Sequence, residues 1–188
     1  MAGTAASRGR DVRRRLVRAA RELVPERGWA AVSTRTVAER AGVAPGLVHY
    51  HFASVRALLA EAAVGALREA VGGVDASLQQ ARTPGELVDL LVGEVDRYSG
   101  TDPASLLATE TYLAATRDPD LRRELVTVLE DFRRRVAGRL REHDVSEPDA
   151  TAAVLAAVVD GVLLHRALGP LPGSAVAPVL HRIVRGQR

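Results

Sequence analysis

The sequence contains no cysteine, no lysine and no asparagine. Without thiols there is no disulfide framework, no cysteine nucleophile and no thiolate metal set to argue from. Aromatics make up only 3% of residues, which leaves few flat surfaces for stacking a planar ligand. No long uncharged apolar run is evident, so nothing reads as a membrane span, and the polar, arginine-containing N-terminus lacks the apolar core of a secretion signal. A soluble protein of the cytoplasm is the expectation. With 188 residues and 47% apolar content, the chain can form one large or two small domains.

What is present is arginine, unevenly spread. Residues 1–60 hold eleven arginines against four acids, a balance of +7, whereas residues 61–188 hold fifteen against nineteen, a balance of −4. The basic end suits a polyanion. Since every Lys-or-Arg position is arginine, a compositional bias inflates the total, and the asymmetry is more informative than the net charge of +3.

Helical periodicity runs through almost the whole chain, and no alternating run argues for a strand. The fold class is all-α with about nine helices. Val12, Leu16, Ala19, Ala20 and Leu23 mark the apolar face of a first helix; Arg10, Arg13, Arg14, Arg18 and Arg21 mark the other, with Pro25 and Gly28 expected to end it. Ser33 stands at an N-cap position before a short second helix, Thr34 to Ala41, stopped by Gly42. Pro45 opens a very short third helix, "PGLVHYH", and Ser54 caps a long fourth. Two short helices joined by a tight glycine turn form a helix-turn-helix pattern, whose second helix enters the major groove.

The cluster His49 to Phe52 fits this reading better than a metal or catalytic site. His49 and His51 are two apart, a poor spacing for ligands on one helix face, and no serine stands in a nucleophile elbow. Val48 and Phe52 share a face that locks the unit, and His51 is expected to pack. No cofactor, metal or catalytic residue is expected. Ser33, Thr34 and Arg35 are candidates for phosphate positioning. Pro45, Gly46, Leu47, His49 and Tyr50 are candidates for the groove and its walls, with Gly46 allowing close backbone approach and Leu47 contact with a thymine methyl.

The stretch "TRTVAERAGVAPGLVHYHFASVRALL" resembles the DNA-binding region of the TetR family of bacterial transcriptional regulators. Val37 and Ala38 match the family's buried pair, Ala41 to Val43 its turn, Gly46 its recognition-helix glycine, and His51 with Phe52 its "hF" pair. Two positions depart from the pattern. His49 stands where a tyrosine is usual, and Val55 where a phosphate-reaching lysine is usual; Arg56, about 100° further round the helix, is the candidate replacement.

Beyond the fourth helix, "TPGE" at Thr83, "DP" at Asp102 and Asp118, and "SEPD" at Ser146 mark starts of further helices over 84–98, 103–116, 119–143, 147–168 and 175–186. The resemblance implies a DNA-binding head, residues 1–55, and a ligand-binding and dimerising body, residues 56–188. It places an effector pocket among the body helices, with Leu106, Leu107, Glu110, Thr111, Leu113, Leu125, Leu129 and Phe132 as candidate walls. Scarce aromatics favour a small, mainly apolar effector, whereas Glu110 would favour a cation.

The eighth helix is apolar nearly all round and needs a cover. The resemblance implies that it and the ninth helix pair with their symmetry mates, with Leu155, Val159, Asp160, Gly161, Val162, Val176, Leu180 and Ile183 as the expected interface of a homodimer; the alternative is that both helices close a monomeric core. The function expected is a ligand-responsive regulator, a repressor of a pseudo-palindromic double-stranded DNA operator. The alternative is an all-helical small-molecule-binding or catalytic protein that does not read DNA.

Overall fold

The computed structural model describes residues 5–185, apart from the side chains of Ala5, Asp75 and Ala76. Among these residues are nine α-helices and no strand, as the periodicity predicts. They are α1 (Ala5–Arg27), α2 (Thr34–Ala41), α3 (Gly46–His51), α4 (Val55–Leu78), α5 (Pro84–Asp96), α6 (Pro103–Ala115), α7 (Pro119–Glu142), α8 (Pro148–Arg166) and α9 (Gly173–Arg185), with a 3-10 turn at Trp29–Ala31. The expected end of α9 at residue 186 lies outside the described residues.

Local chemistry explains most starts. Thr83 accepts the Glu86 amide at 3.1 Å, with Pro84 opening α5. Asp102 Oδ1 accepts the amides of Ala104 and Ser105 at 3.1 and 3.0 Å, and Asp118 Oδ1 those of Asp120 and Leu121 at 3.1 and 3.2 Å. Two expectations are corrected. Pro25 lies inside α1, whose last turn closes through the Gly28 amide on the Val24 carbonyl at 2.9 Å, so the missing proline N–H removes one bond without ending the helix. Ser146 does not cap α8; Glu147, in the left-handed region at φ 48°, precedes Pro148 instead, and its carbonyl accepts the Thr151 amide.

The residues group into two compact units, Met1–Leu67 with Leu106–Arg123, and Arg68–Ser105 with Glu124–Arg188. This grouping differs from a division at residue 55, because the first half of α4 and the stretch 106–123 pack with the N-terminal helices. In the first unit Leu16, Ala20, Leu23, Val37, Ala38, Val48, Leu58 and Ala63 form a solvent-free centre, joined by Leu107 of α6. The second unit is built on Leu87, Val88, Val136, Leu140, Ala152 and Leu155.

One buried cation organises the second unit. Arg166, 8% exposed at its side chain, donates to the carbonyls of Val95 (2.6 Å), Tyr98 (3.1 Å) and Leu171 (2.7 Å) and pairs with Asp96. Asp96 in turn accepts the Gly173 amide at 3.0 Å, so the ends of α5 and α8 and the start of α9 meet on one ion pair. Beside it Gly100 has φ +84°, and a Cβ there would lie 2.5 Å from the Ala167 amide nitrogen, so the chain needs glycine for both backbone angle and room.

By length and composition α8 would suffice to cross a membrane, an exception to the sequence expectation. In the structure Thr151, Ala152, Leu155, Ala156 and Val162 are buried in the unit's core, while Val154 and Leu164 are exposed, as are Val179 and Ile183 of α9. Replacing Arg166 by Met keeps the apolar stem and leaves helix-end carbonyls unpaired. We expect it to lower unfolding free energy by about 1–3 kcal/mol, read by urea denaturation at unchanged m-value.

Candidate nucleic-acid interface

The N-terminal unit presents α2, a turn and α3 on a frame set by α1. Ser33 Oγ accepts the Thr36 amide at 3.3 Å, and Thr36 Oγ1 accepts the Ser33 amide at 2.9 Å, a reciprocal box made with two hydroxyls. The Ser33 oxygen thereby accepts within the cap, and of the first-turn amides of α2 those of Thr34 and Arg35 precede the helical ladder. Arg40 holds α2 to α1 through a two-pronged bond to Glu26 at 2.6 and 2.9 Å, and its guanidinium holds the Glu26 carboxyl below the ordinary value. Arg35 is exposed and paired with Glu39 at 2.8 Å, a same-helix pair weak enough to yield to a phosphate.

The turn after α2 is fixed twice. Gly42 adopts φ +63°, a left-handed cap that glycine takes at little cost, and its amide and that of Val43 close on α2 carbonyls. Arg15 of α1 then donates to the carbonyls of Ala41 and Gly42 at 2.5 and 2.8 Å. A Cβ at residue 42 would lie 3.0 Å from that guanidinium. Sequence reasoning missed Arg15, since it is one of a run of three arginines and only the fold shows which of them turns inward.

On α3, Val48 is fully buried and Phe52 nearly so, while the Arg13 guanidinium lies 4.9 Å over the Phe52 ring and bonds Glu61 of α4 at 2.5 Å. This seats one face of α3 against α1 and α4. Pro45, Gly46, His49 and Tyr50 are left exposed, Tyr50 at 80%, and Leu47 and Thr34 are half-buried. His51 is half-buried with its ring edge-on to Tyr50 at 5.0 Å, and Gly9 of α1 lies beside it, in line with a packing residue. A Cβ at Gly46 would meet nothing within 4 Å. The fold therefore has room for a side chain at this position.

The geometry is that of a recognition helix held rigidly and shown to solvent. Residues 16–62 match the family model for bacterial regulatory proteins of the tetR family, and residues 82–186 that of the tetracyclin repressor-like C-terminal domain. The chain belongs to the TetR family. It is a DNA-binding transcriptional regulator of the helix-turn-helix type. It is 30% identical over 171 residues to the HTH-type transcriptional regulator BetI of Rhizobium meliloti, covering 89% of this chain and 83% of that one. Among solved structures it is similar to SCO7518 from Streptomyces coelicolor A3(2), at 31% identity and TM-score 0.76, covering 93% and 99% of the two chains. It also resembles the multidrug binding protein EbrR complexed with imidazole, at 33% identity and TM-score 0.70, covering 94% and 96%.

The remaining sequence-predicted residues are placed less as expected for a TetR body. Glu110 is not a free pocket carboxylate: its Oε2 accepts the Trp29 amide at 2.7 Å, capping the 3-10 turn. Thr111 is fully buried and donates to the Leu107 carbonyl at 2.6 Å, and Leu107 belongs to the first unit's core. Leu106 is half-buried and Leu113 is 51% exposed. Leu125 and Phe132 are buried and Leu129 half-buried in the second unit. None of the eight lines the apolar cavity of about 20 Å³ among α5, α8 and α9, which has room for about one water, nor the open cleft beside Thr83, His143 and Arg185.

Of the expected dimer residues, Leu155, Val162 and Leu180 are buried in their own unit, and Val159, Asp160, Gly161 and Val176 are half-buried. Only Ile183 is exposed. The outward apolar residues are Val154, Leu164, Leu168 and Val179 beside it. On α8 the expected set mixes two inward positions, Leu155 and Val162, with three half-buried ones, a consequence of a helix apolar on every side.

The open surroundings of Gly46 give a direct test of the interface. Gly46→Ala should leave thermal stability unchanged or raised by up to about 1 kcal/mol, yet weaken DNA binding measured by fluorescence anisotropy. A fall in both would place the requirement inside the fold.

Proposed function

We propose that this TetR-family chain is a homodimeric repressor, acting in the cytoplasm, that leaves a pseudo-palindromic operator when a small, mainly apolar effector binds its helical body. The observation that carries the reading is the recognition unit: a capped α2, a clamped left-handed turn and an α3 with one face buried and the other free. Ser33, Thr34, Arg35 and Arg56 are assigned to phosphate positioning, and Pro45, Gly46, Leu47, His49 and Tyr50 to the groove.

Two such heads about 34 Å apart meet successive major grooves, which calls for a dimer. The exposed apolar residues Val154, Leu164, Val179 and Ile183 on α8 and α9 supply a surface suited to a second copy of itself. The effector's chemistry follows from two observations. Aromatics are few, and the Glu110 carboxylate, the group that would draw a cation, is already engaged with the Trp29 amide. The similarity to EbrR, a multidrug binding protein complexed with imidazole, supports a small-molecule site in a helical body of this kind. Effector action is population shift: binding two states unequally, with a coupling of about 1–3 kcal/mol.

Anisotropy titration of DNA flanking the protein's own gene, against a scrambled duplex, tests the reading. Preferential binding by two subunits, weakened about 5–150-fold by a saturating effector, is expected; an effector that leaves affinity unchanged would defeat the switch. The dimer has its own test. Leu164→Arg with Val179→Arg should convert the sedimenting species to the 20.0 kDa monomer with helicity intact, whereas an unchanged dimer would place the interface elsewhere.

A further inference from the structure

The first turn of α4 carries one cation, Arg56, and the fold has already paired it. Its Nε lies 3.0 Å from Asp118 Oδ2. The same carboxylate uses Oδ1 to accept the amides of Asp120 and Leu121, capping α7. The Leu121 amide above all, helped by the Asp120 amide and Arg56, holds the Asp118 carboxyl below its ordinary value against the opposing effect of burial. Asp118 is 15% exposed at its side chain and Arg56 63%. The acid is therefore the fixed partner and the guanidinium the movable one. Both belong to the same compact unit.

The neighbouring position brings no substitute charge, because Val55 is half-buried and packs against the head's core. Arg56 follows the exposed Tyr50 by six residues, separated from it by the end of α3 and the Ser54 cap, whose hydroxyl accepts the Ala57 amide at 3.1 Å. A long, exposed guanidinium at such a site is within reach of a second anion. An ion pair whose guanidinium stands in solvent is weakly held, and a phosphate that releases condensed counterions competes well for that guanidinium.

We propose that Arg56 is a shared cation: Asp118 holds it in the free protein and yields it to a DNA phosphate, so that Asp118 sets how tightly the head grips DNA of any sequence. The inference rests on the chain's binding of DNA, and it adds a residue of the α6–α7 corner to the determinants of affinity. Asp118 acts only through Arg56, as a positioning residue. Any displacement of the α7 start away from Arg56 frees the cation and strengthens the grip; approach weakens it.

The test is a cycle of four proteins, wild type, Asp118→Asn, Arg56→Gln and the double variant, titrated with operator-bearing and scrambled duplexes over a salt series. Asparagine keeps the cap while removing the charge. Asp118→Asn should tighten binding to both duplexes by up to about fivefold. Arg56→Gln should weaken both and reduce the slope of log K against log salt by about 0.9 for each phosphate no longer neutralised. In the Arg56→Gln background the added Asp118→Asn should bring no comparable gain. An equal gain in that background would reduce Asp118 to a background charge and overturn the exchange. So would a salt slope indifferent to Arg56→Gln. Equal affinity of the wild type for both duplexes would defeat the operator reading alone, since a phosphate contact is sequence-independent and the slopes still decide the exchange.

Discussion

A guanidinium reaching the carbonyls at a helix end is the interaction on which both units of this protein depend. Arg15 grips the end of α2, Arg122 the last carbonyl of α6 and the one after it, Arg166 the end of α5, and Arg139 the Ala81 carbonyl in the link from α4 to α5. Helix ends leave carbonyls without partners, and the nine helices among the described residues have many of them. Glycine caps and water meet part of that demand. A planar, permanently charged fork on a long apolar stem meets the rest from a distance, joining residues far apart in sequence. An ammonium could not span two carbonyls with the same fixed geometry.

In the head this device has a functional result. Recognition of a groove requires the reading helix to keep its place while only a few side chains touch the bases. Here α3 has six residues, too few to be stable alone. Its position comes from Val48 and Phe52 below, from Arg13 across the Phe52 ring, and from the Gly42 turn that Arg15 holds shut. What faces outward is thus free to be selected for DNA alone. His49 and Tyr50 stand in solvent with no structural duty comparable to that of Val48.

Much of the frame was legible in the sequence because its signals are local. Ser33, Gly42, Thr83, Asp102 and Asp118 mark helix ends through bonds to residues two to four positions away, and the head's motif is dense enough to name its family. What escaped depends on contacts made only after folding. Arg15 is indistinguishable from Arg13 and Arg14 until one guanidinium turns to a carbonyl. Glu110 reads as a polar residue on a pocket helix, yet its partner is the amide of Trp29, 81 positions earlier. On α8 the apolar content hid the phase: Leu155 and Val154 are equally greasy neighbours, and only packing sends one inward. Pro25 carried a local stop signal that the rest of α1 overrode.

The Glu110 bond has one more consequence. Trp29 is the only tryptophan in the chain, and its amide sits at the junction where α6 meets the loop leading into α2. The protein therefore carries its own optical reporter there. The emission of a single indole, unlabelled and without competition from another, registers whether α6 keeps hold of the head or lets it go.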